Sequence, residues 1–144
     1  MSHSTFLSGK VWKESLPVVS LPAPPDAPRL KRLPLSQGEL AQFHDAGEGA
    51  RYIAYIELRA GATRGNHYHK IKKEWTYVIS GKLLLLLEDT MTHEKASVSM
   101  QAGDLAFIPP GVAHALRTLE PGGAVEFSQA QFNASDIYPH RLEQ

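Results

Sequence analysis

The chain of 144 residues contains no cysteine. That absence excludes disulfides, thiolate ligands and a cysteine nucleophile together, so any metal held here must take nitrogen and oxygen ligands. Net charge is lacking too. Fifteen Lys and Arg balance fifteen Asp and Glu, leaving no overall field to draw the protein to nucleic acid or to an anionic membrane. Long apolar runs are missing. The longest, Leu83 to Leu87, is far too short to span a bilayer, and residues 1–12 carry no hydrophobic signal core. A soluble protein that stays in the cytoplasm is expected. No internal repeat is evident, and the length fits one domain that buries roughly two thirds of its unfolded surface.

What is present is unevenly spread. Six of the ten prolines fall between Pro17 and Pro34, a density that removes the backbone donors a helix or inner strand needs. Residues 1–36 are therefore expected to form an extended proline-rich arm and residues 37–144 a barrel domain. Ser36 and Glu39 make a capping pattern that predicts the start of a short helix, against which Gly38 counts. From Arg51 onward the segments RYIAYIEL, WTYVIS, KLLLLLE, KASVSM, DLAFI, AHALRT and AVEFSQAQF alternate with turn chemistry such as EDTMTHE, QAGD and PPG. Short strands at this spacing predict an all-β, closed antiparallel fold. KLLLLLE has no alternation and fits a strand covered on both faces or a helix core, with Ser80-Gly81 before it and Thr90 after it limiting its length.

The stretch RGNHYHKIKKE concentrates the chemistry. Side chains alternate across a strand, so His67 and His69 face one side. Glu74 lies beyond KIKK, where the chain can return as the next strand, and His114 follows the tight turn at Pro109, Pro110 and Gly111. Three imidazoles and a carboxylate converging in a barrel suit one divalent Fe, Mn, Ni, Co or Zn ion with positions open for water or substrate. The alternative is four ordinary core or surface groups. His3, His44, His93 and His140 have no partners at ligand spacing and read as solvated surface residues.

These residues resemble the cupin superfamily. Gly61, His67, His69, Glu74 and Gly81 match its first motif, and Gly103, Pro109, Gly111 and His114 match its second, with 21 residues between. Thr118 stands where the second motif usually ends in Asn. The resemblance implies a jelly-roll barrel that holds one divalent metal through His67, His69, Glu74 and His114. Cupin barrels commonly pair through an outer sheet face, and Val18, Val19, Leu21 and Leu30 give the arm apolar groups to bury, so a homodimer is expected.

Arg64 to His69 looks like the segment of sugar-acting cupins. Nucleotide-sugar 3,5-epimerases carry RGLHYQ, with the histidine as base and no metal, whereas cupin domains of capsular polysaccharide enzymes carry an RGNHYH-type string. His69 in place of Gln favours the metal-binding variant. By the same resemblance Arg64 faces a phosphate or carboxylate with its planar fork; otherwise it is a loop arginine paired with Glu57 or Glu94. If Lys72 joins it at the mouth, the substrate is anionic. Tyr55 and Phe107 are further candidates for substrate contact, with Val78, Phe107 and Leu116 on the inner wall. His67 off the metal, Tyr77 or Tyr55 can serve as base, although Tyr77 should point away from Glu74 on a regular strand. Three readings stand: a metal-dependent isomerase, epimerase or lyase on a small polar or anionic carbonyl or sugar substrate; an Fe or Ni dioxygenase; and a barrel that binds without turnover.

Overall fold

The computed structural model describes residues 2–142. Its strands are β1 (Ser2–Phe6), β2 (Val11–Ser15), β3 (Lys31–Leu35), β4 (Gly38–Gln42), β5 (Tyr52–Leu58), β6 (Thr63–Tyr68), β7 (Glu74–Asp89), β8 (Lys95–Gln101), β9 (Asp104–Ile108), β10 (Val112–Ser128) and β11 (Tyr138–Pro139), with one 3-10 turn at Ala134–Asp136. β7 and β10 run antiparallel along nearly their whole length. The start of β7 pairs with β9 and the end of β10 with β5. The later part of β7 pairs with β8, and the start of β10 with β6. Two antiparallel layers therefore share two long strands, which bend where their register slips between Thr118 and Ala124. Gly81 occupies that bend at φ 83°, where a Cβ would lie 2.6 Å from the carbonyl oxygens of Glu120 and Pro121. Only glycine allows so close a crossing.

The leucine run is covered on both faces, as its lack of alternation predicts. Leu83, Leu85 and Leu87 are at most 1% exposed, among Val78, Val98, Met100, Ile108 and Val112 in the barrel interior. Leu84 and Leu86 face outward against Ala113, Ala115 and Leu142. Each buried leucine contributes roughly 2–3 kcal/mol of transfer free energy. A second cluster, Tyr77, Leu105 and Phe127 with Trp12, Phe43 and Trp75, lies on the outside of the other layer.

The N-terminal third differs from expectation in one respect. The helix expected from Ser36 is a β3–β4 hairpin, because Gly38 sits at φ 128° and the following residues pair as a strand with β3. Within residues 2–36, β1 and β2 form a hairpin that extends the sheet through β9, and Val18 bridges to Arg32. Among the described residues no helix is long and apolar enough to cross a membrane.

Candidate metal and ligand site

His67 and His114 are direct partners across β6 and β10, and the register slips immediately after them. The slip arises on β6, where Gly65 and Asn66 adopt φ 99° and φ 58°. Such a bulge re-aims the side chain that follows it. It is fixed from outside by the C-terminal segment: the Asn66 carbonyl accepts from the His140 N–H at 2.8 Å, and its side-chain oxygen accepts from the Leu142 N–H at 3.1 Å. His69 lies just beyond β6, and Glu74 opens β7 between Ser128 of β10 and Ile108 of β9.

The four side chains converge. One ring nitrogen from each of His67, His69 and His114 lies within 4.8 Å of the others. Glu74 brings Oε1 to 3.7 Å from His69 Nε2 and Oε2 to 3.5 Å from His114 Nε2. The Nε2 atoms of His69 and His114 are buried without a hydrogen-bond partner. Their Nδ1 atoms are taken up, His69 Nδ1–H donating to the Asp136 carbonyl at 2.8 Å and His114 Nδ1–H to the Val112 carbonyl at 3.1 Å. Carbonyl acceptors at Nδ1 set the tautomer that leaves a lone pair on Nε2, the arrangement of metal-binding histidines. The donor set fits a divalent metal on this observation.

The electrostatics agree. Burial alone would raise the Glu74 carboxyl, but His114 and His69 hold it well below the usual carboxylate range. Burial opposes charge on His114, yet Glu74 raises its pKa. His67 is pushed down to about 4 by burial and by the neighbouring imidazoles, so it is neutral at physiological pH. Glu126 is pushed up to about 7 by burial and by Glu74. Lys72 Nζ lies 2.7 Å from Glu126 Oε2 and 3.5 Å from Glu74 Oε1. These groups line a cavity of about 230 Å³ with Arg64, Tyr52 and Leu116 on its wall.

Asp136 was not legible as a site residue, and no local motif marks it. Its carboxylate is buried and accepts the N–H groups of Lys70 (2.9 Å), Ile71 (3.2 Å) and Lys72 (3.0 Å), while its own carbonyl holds His69. Burial would raise its pKa, but those three N–H groups hold it below the ordinary value. The carboxyl therefore titrates lower in the folded chain than the ordinary ~3.9 of the unfolded one. Its stabilisation is complete above about pH 4 and fades as pH falls through the folded value. Asp136→Asn should lower stability by about 2 kcal/mol at pH 7 and weaken metal retention roughly 10- to 100-fold. Urea midpoints of variant and parent, compared at pH 7 and near pH 3, should converge in acid.

Other expected residues are placed as follows. Arg64 reaches the cavity; Glu57 pairs with Arg59 and Glu94 accepts from Ser8, so neither expected loop partner holds it. Val78 and Leu116 face inward. Tyr77, Tyr55 and Phe107 do not come to the cavity. Tyr77 is on the outer face, 2% exposed and stacked on Phe43 at 4.4 Å. Tyr55 is 67% exposed on β5, and Phe107 lies between Trp12 and Trp75. The reason is strand parity: each is an odd number of residues from an inward neighbour (Glu74, Ile56 and Ile108). The four remaining histidines are less idle than expected: His3 meets Glu14, His44 packs on Phe127, and His93 and His140 both bind Glu88 at 3.1 Å.

Comparison with known proteins supports the fold. The profile of the cupin domain matches residues 54–128. Oxalate decarboxylase OxdC of Bacillus subtilis (strain 168) is 33% identical over 61 residues, which cover 42% of this chain and 16% of that protein. This chain thus matches only a small part of that relative's length. Among solved structures, a 3,4-ketoisomerase from Helicobacter canadensis superposes with a TM-score of 0.67 at 16% identity, over 76% of this chain and 85% of that one. The rmlC epimerase of Mycobacterium tuberculosis gives 0.73 at 14% identity, over 96% and 72%. A dTDP-6-deoxy-D-glucose-3,5-epimerase RmlC from Legionella pneumophila Philadelphia 1, in complex with dTDP-4-keto-L-rhamnose, gives 0.73 at 11% identity, over 96% and 76%. At these identities the likeness is one of fold.

Proposed function

This chain belongs to the cupin domain family, and on that footing we propose that it is a metal-dependent enzyme of the isomerase or epimerase type, acting on a small polar or anionic carbonyl or sugar-type substrate. The observation that carries the reading is the pair of buried, unpartnered Nε2 atoms on His69 and His114 beside the Glu74 carboxylate. His67, His69, Glu74 and His114 would hold one ion of Fe, Mn, Ni or Zn, which supplies polarisation of a substrate carbonyl and so acidifies the adjacent C–H. The activities named for the solved relatives, 3,4-ketoisomerase and 3,5-epimerase, lend support because both kinds of reaction move a proton beside a carbonyl.

The chain's own residues divide the remaining work. Arg64 offers a planar fork that binds a carboxylate or phosphate through two oxygens. The apolar wall of Ile56 and Leu116 excludes water from one side of the cavity. The homodimer belongs to the same proposal, with the outer face carrying exposed Ile53, Tyr55 and Ile79 as its contact.

The test is proton exchange. Metal-reconstituted protein is incubated in deuterium oxide with free ketoses and small hydroxy-keto acids, and proton NMR follows the position beside the carbonyl. Exchange should appear with at least one substrate, vanish in His114→Ala, and fall roughly 10- to 100-fold in kcat/KM in Arg64→Ala. Absence of exchange throughout would overturn the enzymatic reading and leave a ligand-binding barrel.

A further inference from the structure

Lys72 and Glu126 form an ion pair on the inner wall of the barrel, with side chains 12% and 16% exposed. The cavity they line is polar on the side of Arg64, Glu74 and the histidines and apolar at Ile56 and Leu116. A buried ion pair is seldom more stabilising than apolar residues of similar volume, so a pair exposed to the same cavity as Glu74 is well placed to read a ligand.

The pair is also held ready. The Lys72 N–H is bound by Asp136 at 3.0 Å, and its Nζ lies 2.7 Å from Glu126 and 4.7 Å from the centre of the Tyr52 ring. Tyr52 is backed in turn by Phe132, with ring centroids 6.1 Å apart. A lysine fixed at both ends loses little freedom when it meets a ligand. Its ammonium donates only, and Glu126, once ionised above about pH 7, accepts only.

We propose that Lys72 and Glu126 are specificity-determining residues that read a hydroxyl and a second oxygen on neighbouring carbons, so that the site takes small polyhydroxy acids or sugar acids over their deoxy counterparts. Lys72 donates to one substrate oxygen, and Glu126 accepts from the hydroxyl beside it. A cavity of about 230 Å³ holds a short carbon chain, below the roughly 300 Å³ at which sites for drug-sized molecules begin. The inference rests on the reading of the site as one for small anionic ligands.

Tartrate and succinate, which differ in two hydroxyls, provide the probes, with calorimetric titration of the purified, metal-reconstituted full chain as the readout. Tartrate should bind at least tenfold tighter than succinate, roughly the equivalent of one hydrogen bond to a charged group. In Glu126→Met and Lys72→Met that preference should fall below about threefold, whereas Arg64→Ala should weaken both ligands alike. Metal content and unfolding midpoints of each variant establish that the site is still assembled; Glu126→Met, which keeps the length and removes the acceptor, is the decisive one if Lys72→Met loses metal. Equal binding of the two probes, or a preference that survives Glu126→Met and so comes from chelation alone, overturns the inference. Failure of both probes to bind overturns the anionic-ligand reading beneath it.

Discussion

Protein carrying His114→Ala should leave purification with less than roughly a tenth of the metal the unaltered chain retains, and His69→Ala should behave the same way. Losing a partner outside the ligand shell typically costs 10- to 100-fold in affinity; removing one of four direct ligands costs more, because a tetrahedral or six-coordinate ion cannot replace a fixed imidazole with a mobile water at equal affinity. Neither variant leaves a neutral hole. His114 is 2% exposed and faces Glu74 at 3.5 Å, so its removal takes one of three partners from a buried carboxylate and leaves a void. Some of that energy will appear as a lower unfolding midpoint, and His114→Gln, which keeps most of the volume, separates the two effects. Plasma mass spectrometry on tag-free protein reads the metal directly. An unaltered chain that takes up no Fe, Mn, Ni or Zn after anaerobic reconstitution would refute the metal assignment.

Gly65→Ala should destabilise the fold by about 3 kcal/mol, far more than alanine usually costs at an open turn glycine. Gly65 has φ 99°, and a Cβ there would sit 2.8 Å from the His114 carbonyl oxygen and 3.2 Å from Ala115 Cα. Both neighbours are backbone of β10, the strand that carries His114, so relief requires β6 and β10 to part at the very pair that supplies two imidazoles. Gly61 is the internal control. It has φ 75°, and a Cβ there would meet nothing within 4 Å, so Gly61→Ala should cost about 1 kcal/mol from backbone strain alone. Urea unfolding of both variants gives the comparison. Equal losses would mean that the close approach of β6 and β10 has no energetic weight.

How much of this was readable in the sequence depends on the range of the signal. The leucine strand was legible because a run without alternation fits a strand buried on both sides, but Ser80-Gly81, which reads as its boundary, is a bend inside the continuous β7. The meeting of His67, His69, Glu74 and His114 in one cluster was legible because the spacing of the first three and the turn before His114 are short-range patterns. The direction of Tyr77 also followed from counting residues on from Glu74. Phe107 did not: DLAFI marks β9 correctly, but nothing in so short an apolar run says which of its two faces is the inner one. The hairpin at Gly38 was missed because a capping pattern describes only the first turn of a helix, while the strand was decided by pairing with β3. Glu126 could have been found: in AVEFS it shares parity with buried Ala124 and Ser128. Asp136 could not, since its role depends on meeting residues more than sixty positions earlier in the chain.

β7 and β10 span both layers, yet the charged and imidazole groups that line the cavity sit near strand ends or in the segments between strands: Glu74 and His114 at the starts, Glu126 close to a finish, Lys72 before β7 begins. The leucines that secure the barrel occupy the second half of β7. Frame and cavity adjoin at His114, which pairs with Leu87, and are separate at Glu74, Lys72 and Glu126. On the proposed reading, selectivity would be rewritten at Tyr52, Lys72 and Glu126, none of which belongs to the leucine core that holds the barrel together.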